Sequence, residues 1–357
     1  MTPEQLIRPD ILALSAYHVA DAGGLVKLDA MENPYRLPEA LRWELGGLLA
    51  DAPVNRYPDP CGRELQQALR RAFGFAAEHD ILLGNGSDEL IQILAMALAK
   101  PGATLLAVEP SFVMYRLIAG FTGMRYAGVP LRPDFSLDEA AMLEALEREE
   151  PVLTFLAYPN NPTGNAFARD ALDRIIRAAP GLVVVDEAYH AFAGGLSVMD
   201  ALGHHDNLLL LRTVSKLGLA GLRLGMLVGA PAWIRELDKV RLPYNVNVLT
   251  QVAARYALDH VDTLEAQAAM LVEERGRLMC ALSALAGVQV YDSAANFILF
   301  RVAEAVRVCS GIQARGVLIK NLHGSHPLLD NCLRVTVGAP EENAAFLAAL
   351  GAELKTE

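Results

Sequence analysis

Apolar residues along the chain fall into two alternating patterns. Short unbroken runs occur in "DILLGNG" (80–86), "ATLLAVEP" (103–110), "MRYAGVPL" (124–131), "VLTFLAY" (152–158), "GLVVVDEAY" (181–189), "NLLLLRT" (207–213) and "LRLGMLVGA" (222–230). Between them lie stretches whose apolar positions recur every three or four residues: "SDELIQILAMALAK" (87–100), "FVMYRLIAGF" (112–121), "DEAAMLEALEREE" (138–150) and "ARDALDRIIRAA" (168–179). Runs of the first kind predict strands buried on both faces, and the second kind predicts amphipathic helices. The alternation therefore predicts an α/β fold with a mostly parallel sheet covered on both sides.

The pattern changes near residue 245. Helical periodicity dominates from "VLTQVAARYALDHV" (248–261) to "LMCALSALA" (278–286), after which "NFILFRV", "GVLIK" and "CLRVTVG" read as strands of a smaller α+β unit. The first forty-odd residues lack strong periodicity and are expected to pack with that unit. The expected organisation is an N-terminal segment (1–45), a large α/β domain (46–245) and a small C-terminal α+β domain (246–357).

Composition narrows the function. The chain has 357 residues, 53% hydrophobic and 20% charged, which describes a globular protein without disordered bulk. Its net charge of −11 argues against a nucleic-acid or anionic-membrane surface. No apolar run approaches the roughly 20 residues that cross a bilayer, and the N-terminus lacks the uninterrupted apolar segment of a secretion signal, so a soluble cytoplasmic protein is expected. Cys61, Cys280, Cys309 and Cys332 have no CxxC spacing, and His204, His205, His323 and His326 read as surface residues, so no metal site is expected.

In an α/β sheet, ligands bind at the C-terminal ends of the strands. Five segments there carry unusual residues. "LLGNGSDELI" ends a strand in Gly84-Asn85-Gly86 and opens a helix at Ser87-Asp88, which presents free N–H groups and a helix dipole to an anion. It is not a dinucleotide fingerprint, because Glu89 stands where GxGxxG needs glycine. "AYPNNPTGNAF" forms a proline-fixed turn after a strand. Asp186 ends the run of three valines, where a carboxylate is costly unless a cation pairs with it. Ser215-Lys216 and Arg223 place two cations near one sheet edge, and Arg334 interrupts a strand that otherwise reads as core. An anion cradle, a buried acid, a lysine in apolar surroundings and two arginines meet the needs of pyridoxal phosphate: a phosphate site, a carboxylate for the pyridine nitrogen and an amine for the aldehyde.

The ordered set "MENPY", "NRYPDP", "GNGSDELI", "PSFVMY", "YPNNPTG", "VVDEAY", "TVSKLGLAGLRLG", "RLPYNVN" and "CLRVTVG" resembles the fold-type I pyridoxal-phosphate aminotransferases (class II subfamily) over nearly the whole chain. Within that group it looks like the histidinol-phosphate aminotransferases. The resemblance implies that Lys216 is the Schiff-base lysine and proton shuttle, that Asp186 partners the pyridinium nitrogen, and that Tyr189 and Asn161 contact the ring oxygen. Phe112 would stack on the ring, where the family often has tyrosine. Gly86, Ser87, Asp88, Thr213, Ser215 and Arg223 would hold the phosphate. Tyr57 would reach the cofactor of a neighbouring subunit, which implies a homodimer with shared active sites. Arg334, with Lys320 where many relatives carry arginine, would bind the substrate anion, and Tyr17, Asn33, Tyr57 and Asn161 would complete its pocket. The implied reaction converts L-histidinol phosphate and 2-oxoglutarate into imidazole acetol phosphate and glutamate, in histidine biosynthesis. An aromatic amino-acid aminotransferase or a phosphothreonine decarboxylase would share all the cofactor residues.

Overall fold

The computed structural model describes residues 1–16 and 20–355. Strands β1 (Asp80–Gly84), β2 (Thr104–Glu109), β3 (Arg125–Pro130), β4 (Leu153–Ala157), β5 (Leu182–Asp186), β6 (Leu208–Thr213) and β7 (Gly225–Gly229) form a seven-stranded sheet in the order β1-β7-β6-β5-β4-β2-β3. β7 is antiparallel to both of its neighbours and the other pairings are parallel. Each strand corresponds to one of the unbroken apolar runs.

Both faces of this sheet are covered, which is why its central strands tolerate no polar alternation. β4 and β5 are buried at every position. Leu182 and Val184 join one apolar cluster with Leu209 and Leu211, while Val183 and Val185 join another with Leu208 and Leu210. Burying each such side chain contributes about 1.5–3 kcal/mol, an upper figure because the unfolded chain already hides some apolar surface.

Helices α1 (Glu39–Ala50) and α2 (Arg63–Phe73) precede the sheet, and α3 (Ser87–Leu98), α4 (Met114–Phe121), α5 (Glu139–Glu149) and α6 (Arg169–Ala178) connect its parallel strands. In α6 the buried residues Ala171, Leu172, Ile175 and Ile176 make one stripe, with Asp170 in the first turn and Arg177 in the last complementing the helix dipole. α5 is capped by Asp138, whose carboxylate accepts the Ala141 N–H at 3.1 Å. After β7 come α7 (Pro231–Asp238), α8 (Val248–Asp259) and the long α9 (Val261–Ser283).

A second, antiparallel sheet has the order β10-β11-β9-β8, with β8 at Val288–Val290, β9 at Phe297–Val302, β10 at Lys320–Asn321 and β11 at Cys332–Thr336. Helices α10 (Ala305–Ala314) and α11 (Pro340–Glu353) pack with it. The N-terminal segment lies along this sheet. Val26–Lys27 pairs with Val317–Leu318, and the Leu28 carbonyl accepts the Thr336 N–H at 2.8 Å.

Two expected boundaries meet a different arrangement. α1 runs through residue 45, and α8 packs against α1 and α2 rather than against the second sheet. The change of periodicity near residue 245 coincides with a change to helices. Among the described residues, no helix is long and apolar enough to cross a membrane.

Candidate active site

Because β1, β4, β5 and β6 run in one direction, their C-terminal ends share an edge, and the reversed β7 begins there. The loops at this edge line a cavity, the kind of concave site at strand ends where ligands bind. Of the residues expected from sequence, Ser87, Asp88, Phe112, Asn161, Asp186, Tyr189, Thr213, Ser215, Lys216 and Arg223 all line it.

One end of the cavity is built for an anion. α3 starts at Ser87, and its cap is Gly86, with φ 86°. A Cβ on Gly86 would lie 2.5 Å from Arg223 Nη2, and one on Gly225 would lie 2.6 Å from Ser87 N. Glycine at both positions therefore lets the Arg223 guanidinium and the first N–H of the helix close on the same spot. Arg223 Nη2 donates to Asp88 Oδ2 at 3.2 Å, with both side chains partly exposed. The Thr213 hydroxyl donates to the Leu224 carbonyl (2.9 Å) and accepts the Ser215 N–H (3.1 Å). Thr213 thus braces Ser215, whose own hydroxyl lies 2.8 Å from that of Thr213.

Asp186 follows the parity of Leu182 and Val184, so its carboxylate turns to the same face as Thr213. The sequence calls for a cation beside it, but the structure supplies neutral donors instead. Oδ2 accepts the Tyr115 hydroxyl at 2.7 Å, and Oδ1 accepts the Ala188 N–H at 3.1 Å. Burial pushes the acid up to about 6 against the pull of these two bonds. The carboxyl lines the cavity with the demand for a positive partner still standing.

Lys216 sits in a turn, Ser215–Leu219, whose Gly218 has φ 132°. Its Nζ donates to the Ala30 carbonyl at 3.1 Å. Burial first, and then the positive charge of Arg334, push its pKa down to about 8. Asn33 stands behind this turn. Its Nδ2 donates to the Leu217 carbonyl and to Gln267 Oε1, each at 3.1 Å, and its Oδ1 accepts the Tyr35 N–H at 2.8 Å. Expected in the substrate pocket, Asn33 is not among the cavity-lining residues and has its polar atoms engaged as a brace.

Asn161, buried in the turn after β4, donates from Nδ2 to the Tyr189 hydroxyl at 3.1 Å and accepts from Arg334 Nη1 at 2.6 Å. Arg334 also donates to the Asp29 carbonyl at 3.0 Å and lies over the Phe297 ring. Burial raises the Tyr189 phenol above its ordinary value. Besides Asn33 and Gly86, three expected residues among the described ones do not line the cavity: Arg334, which bonds the lining residue Asn161, Lys320 and Tyr57. Lys320 faces Arg334 in strand register and is half-buried but does not line it. Tyr57 is 81% exposed and stacks on Tyr244 with centroids 4.5 Å apart. Tyr17 lies outside the described residues.

A family profile described as "Aminotransferase class I and II" matches residues 24–350. The chain belongs to the class I and II aminotransferases. It is similar to a histidinol-phosphate aminotransferase of Chromobacterium violaceum (58% identity, covering 98% of each chain). A second such protein, from Ralstonia nicotianae, is 56% identical and is matched over 98% of this chain and 95% of its own. The crystal structure of histidinol-phosphate aminotransferase from Sinorhizobium meliloti in complex with pyridoxal-5'-phosphate has the same fold, with a TM-score of 0.87 at 24% identity, covering 99% of this chain and 98% of that one.

For an aminotransferase, the cavity fits pyridoxal phosphate on its own evidence. The glycine-made cradle suits a phosphate, the carboxyl of Asp186 suits a protonated ring nitrogen, and Lys216 carries an amine that is easily uncharged. Sequence reasoning missed Tyr115, the donor to Asp186, although it lies in the quoted "PSFVMY" motif. A tyrosine three residues beyond an expected ring-stacking Phe112 was the available signal, because a buried phenol needs an acceptor.

Proposed function

We propose that this aminotransferase uses pyridoxal phosphate to move the amino group of L-histidinol phosphate to 2-oxoglutarate, a cytoplasmic step of histidine biosynthesis. The observation that carries the cofactor reading is the meeting of an amine with a lowered pKa, an acid in need of a cation and an anion cradle in one cavity. The substrate reading is supported by the names of relatives more than 50% identical over nearly the whole length of both chains.

Bound pyridoxal phosphate supplies a carbonyl that condenses with amines and a ring that takes up electron density as the substrate's Cα–H bond breaks. Lys216 Nζ would supply the resident amine and, once freed by the substrate's amine, would take the proton from Cα and deliver it to the carbon that carried the cofactor's carbonyl. The Asp186 carboxylate holds a proton on the ring nitrogen. The Tyr189 hydroxyl and Asn161 amide bind the ring oxygen, Phe112 covers one ring face, and Ser87, Ser215 and Arg223 hold the phosphate. Arg334 binds the phosphate of histidinol phosphate and, in the other half-reaction, a carboxylate of glutamate.

The chain works as a homodimer in this reading. Two segments leave large apolar side chains exposed, with Trp43, Val54 and Tyr57 in one and Leu242 and Tyr244 in the other. Arg241 joins the segments by donating to the Pro60 carbonyl at 3.0 Å. The exposure of Tyr57 and its stack on Tyr244 support a role for it at a second chain in this reading.

A titration of the cofactor spectrum with histidinol phosphate, glutamate, phenylalanine and tyrosine tests the substrate. Histidinol phosphate and glutamate are expected to convert the cofactor most efficiently, and a preference for phenylalanine or tyrosine would refute the assignment.

A further inference from the structure

Asp186 is held by a residue that does not line the cavity. Tyr115, on α4, is wholly buried and donates its hydroxyl to Asp186 Oδ2 at 2.7 Å. Its ring stacks on Phe155 of β4, with centroids 4.5 Å apart and planes 7° apart. The same ring meets Phe112 edge to face at 5.6 Å. Phe112 and Asp186 both line the cavity, so one hidden side chain touches both the aromatic ring expected over the cofactor and the acid expected at its nitrogen.

The surroundings explain why the acid needs this donor. Asp88 at the start of α3 and Glu187, next along the chain, both disfavour its ionised form, and burial does so more strongly than either. Lys216 and Arg223 lie across the cavity, but neither bonds the carboxyl. Among the described residues, the Ala188 N–H is the other donor to it. Burial and the charge of Asp186 drive the phenol's own ionisation well up, so Tyr115 remains a donor at working pH.

We propose that Tyr115 is a positioning residue that keeps Asp186 ionised and aimed at the cofactor's ring nitrogen, while its ring sets the plane of Phe112 against the cofactor's face. This rests on the pyridoxal-phosphate reading of the cavity. Through Asp186, Tyr115 controls whether the ring nitrogen stays protonated, and so how well the ring accepts electron density.

The test uses Tyr115→Phe holoenzyme, which keeps the stack on Phe155 and the contact with Phe112 and removes only the hydroxyl. With 15N in the cofactor ring, nuclear magnetic resonance reads the pH at which the nitrogen loses its proton. That midpoint is expected to fall by about one to two pH units, the scale of a hydrogen bond to a charged group. A lower kcat and an unchanged KM for histidinol phosphate should accompany it. Tyr115→Leu should lower the midpoint as well and also weaken cofactor binding, because Phe112 loses its support. An unchanged midpoint in Tyr115→Phe overturns the role of Tyr115, whereas a wild-type protein that binds no pyridoxal phosphate overturns the cofactor reading beneath it. One measurement needs no variant: with 13C-labelled tyrosine, the wild-type holoenzyme should show a slowly exchanging hydroxyl proton on Tyr115. Absence of that proton also overturns the proposal.

Discussion

Arg334 Nη1 donates to Asn161 Oδ1 at 2.6 Å, tying β11 of the four-stranded sheet to the turn that leaves β4 of the seven-stranded sheet. The other end of the same amide donates to the Tyr189 hydroxyl. One fixed asparagine therefore connects the group proposed to hold the substrate anion with the group proposed to hold the cofactor's ring oxygen. The amide cannot flip without breaking both bonds.

Arg334→Ala removes a charged donor and leaves the buried Asn161 oxygen without this partner. The expected loss in kcat/KM for histidinol phosphate is about 10- to 100-fold, matching roughly 1.5–3 kcal/mol for a hydrogen bond to a charged group. Lys320→Ala should cost much less, since Arg334 bonds the cavity-lining Asn161 whereas Lys320 meets Arg334 only in strand register. Steady-state kinetics of both variants check this, and equal losses would return Lys320 to the substrate pocket.

Lys216→Ala should abolish turnover while fold and assembly persist, because the side chain makes one hydrogen bond, to the Ala30 carbonyl. The pH dependence is also set. Burial lowers Lys216 from 10.5 to about 8, so between those values the unfolded chain holds more protons and stability rises with pH. Capture of pyridoxal phosphate by the cofactor-free protein needs the neutral amine, so its rate should climb as pH passes about 8. A climb centred near 10 would show that the lysine is not desolvated.

Asp186→Asn should slow proton removal from the substrate severely, since an amide cannot hold a proton on the ring nitrogen. In the cofactor-free protein the same change should stabilise. Burial raises the acid from 3.8 to about 6, so across that window the folded chain holds more protons than the unfolded one, and stability falls as pH rises. The variant's melting temperature should therefore exceed the wild type's above about pH 6 and match it below about pH 4. Thermal unfolding of the two cofactor-free proteins over this range measures the difference.

Much of this site could be read from the chain because it sits where unbroken apolar strands stop. Asp186, Lys216 and Arg223 stand out against "VVV" and the glycine-rich run from 218, and strand parity alone puts Asp186 and Thr213 on one face. Parity says nothing about what lies across that face. The Tyr115 bond joins residues 71 positions apart, and Asn161 to Arg334 spans 173. Helices α10 and α11 bury apolar side chains at short intervals, but their runs are interrupted by small and polar residues that hide the period in the sequence.

Asn33 offers the sharpest contrast between motif and geometry. Its place in "MENPY" suggests a substrate contact, yet its side chain bonds the Leu217 carbonyl and Gln267 and accepts the Tyr35 N–H. The Leu217 bond matters most, because Gly218, the next residue, holds φ 132°, and a Cβ there would lie 3.0 Å from Asn33 Nδ2. The turn carrying Lys216 is thus a backbone form open mainly to glycine, pressed against an asparagine that satisfies its carbonyl. Asn33→Ala should leave that carbonyl without this donor and cost about 1–3 kcal/mol of stability. Lys216 would then be less well held, so kcat should fall for histidinol phosphate and for glutamate by the same factor, with little change in either KM. Gly218→Ala should give the same pattern, because it disturbs the same turn from the other side. A rise in KM confined to histidinol phosphate in Asn33→Ala would instead place Asn33 against the substrate.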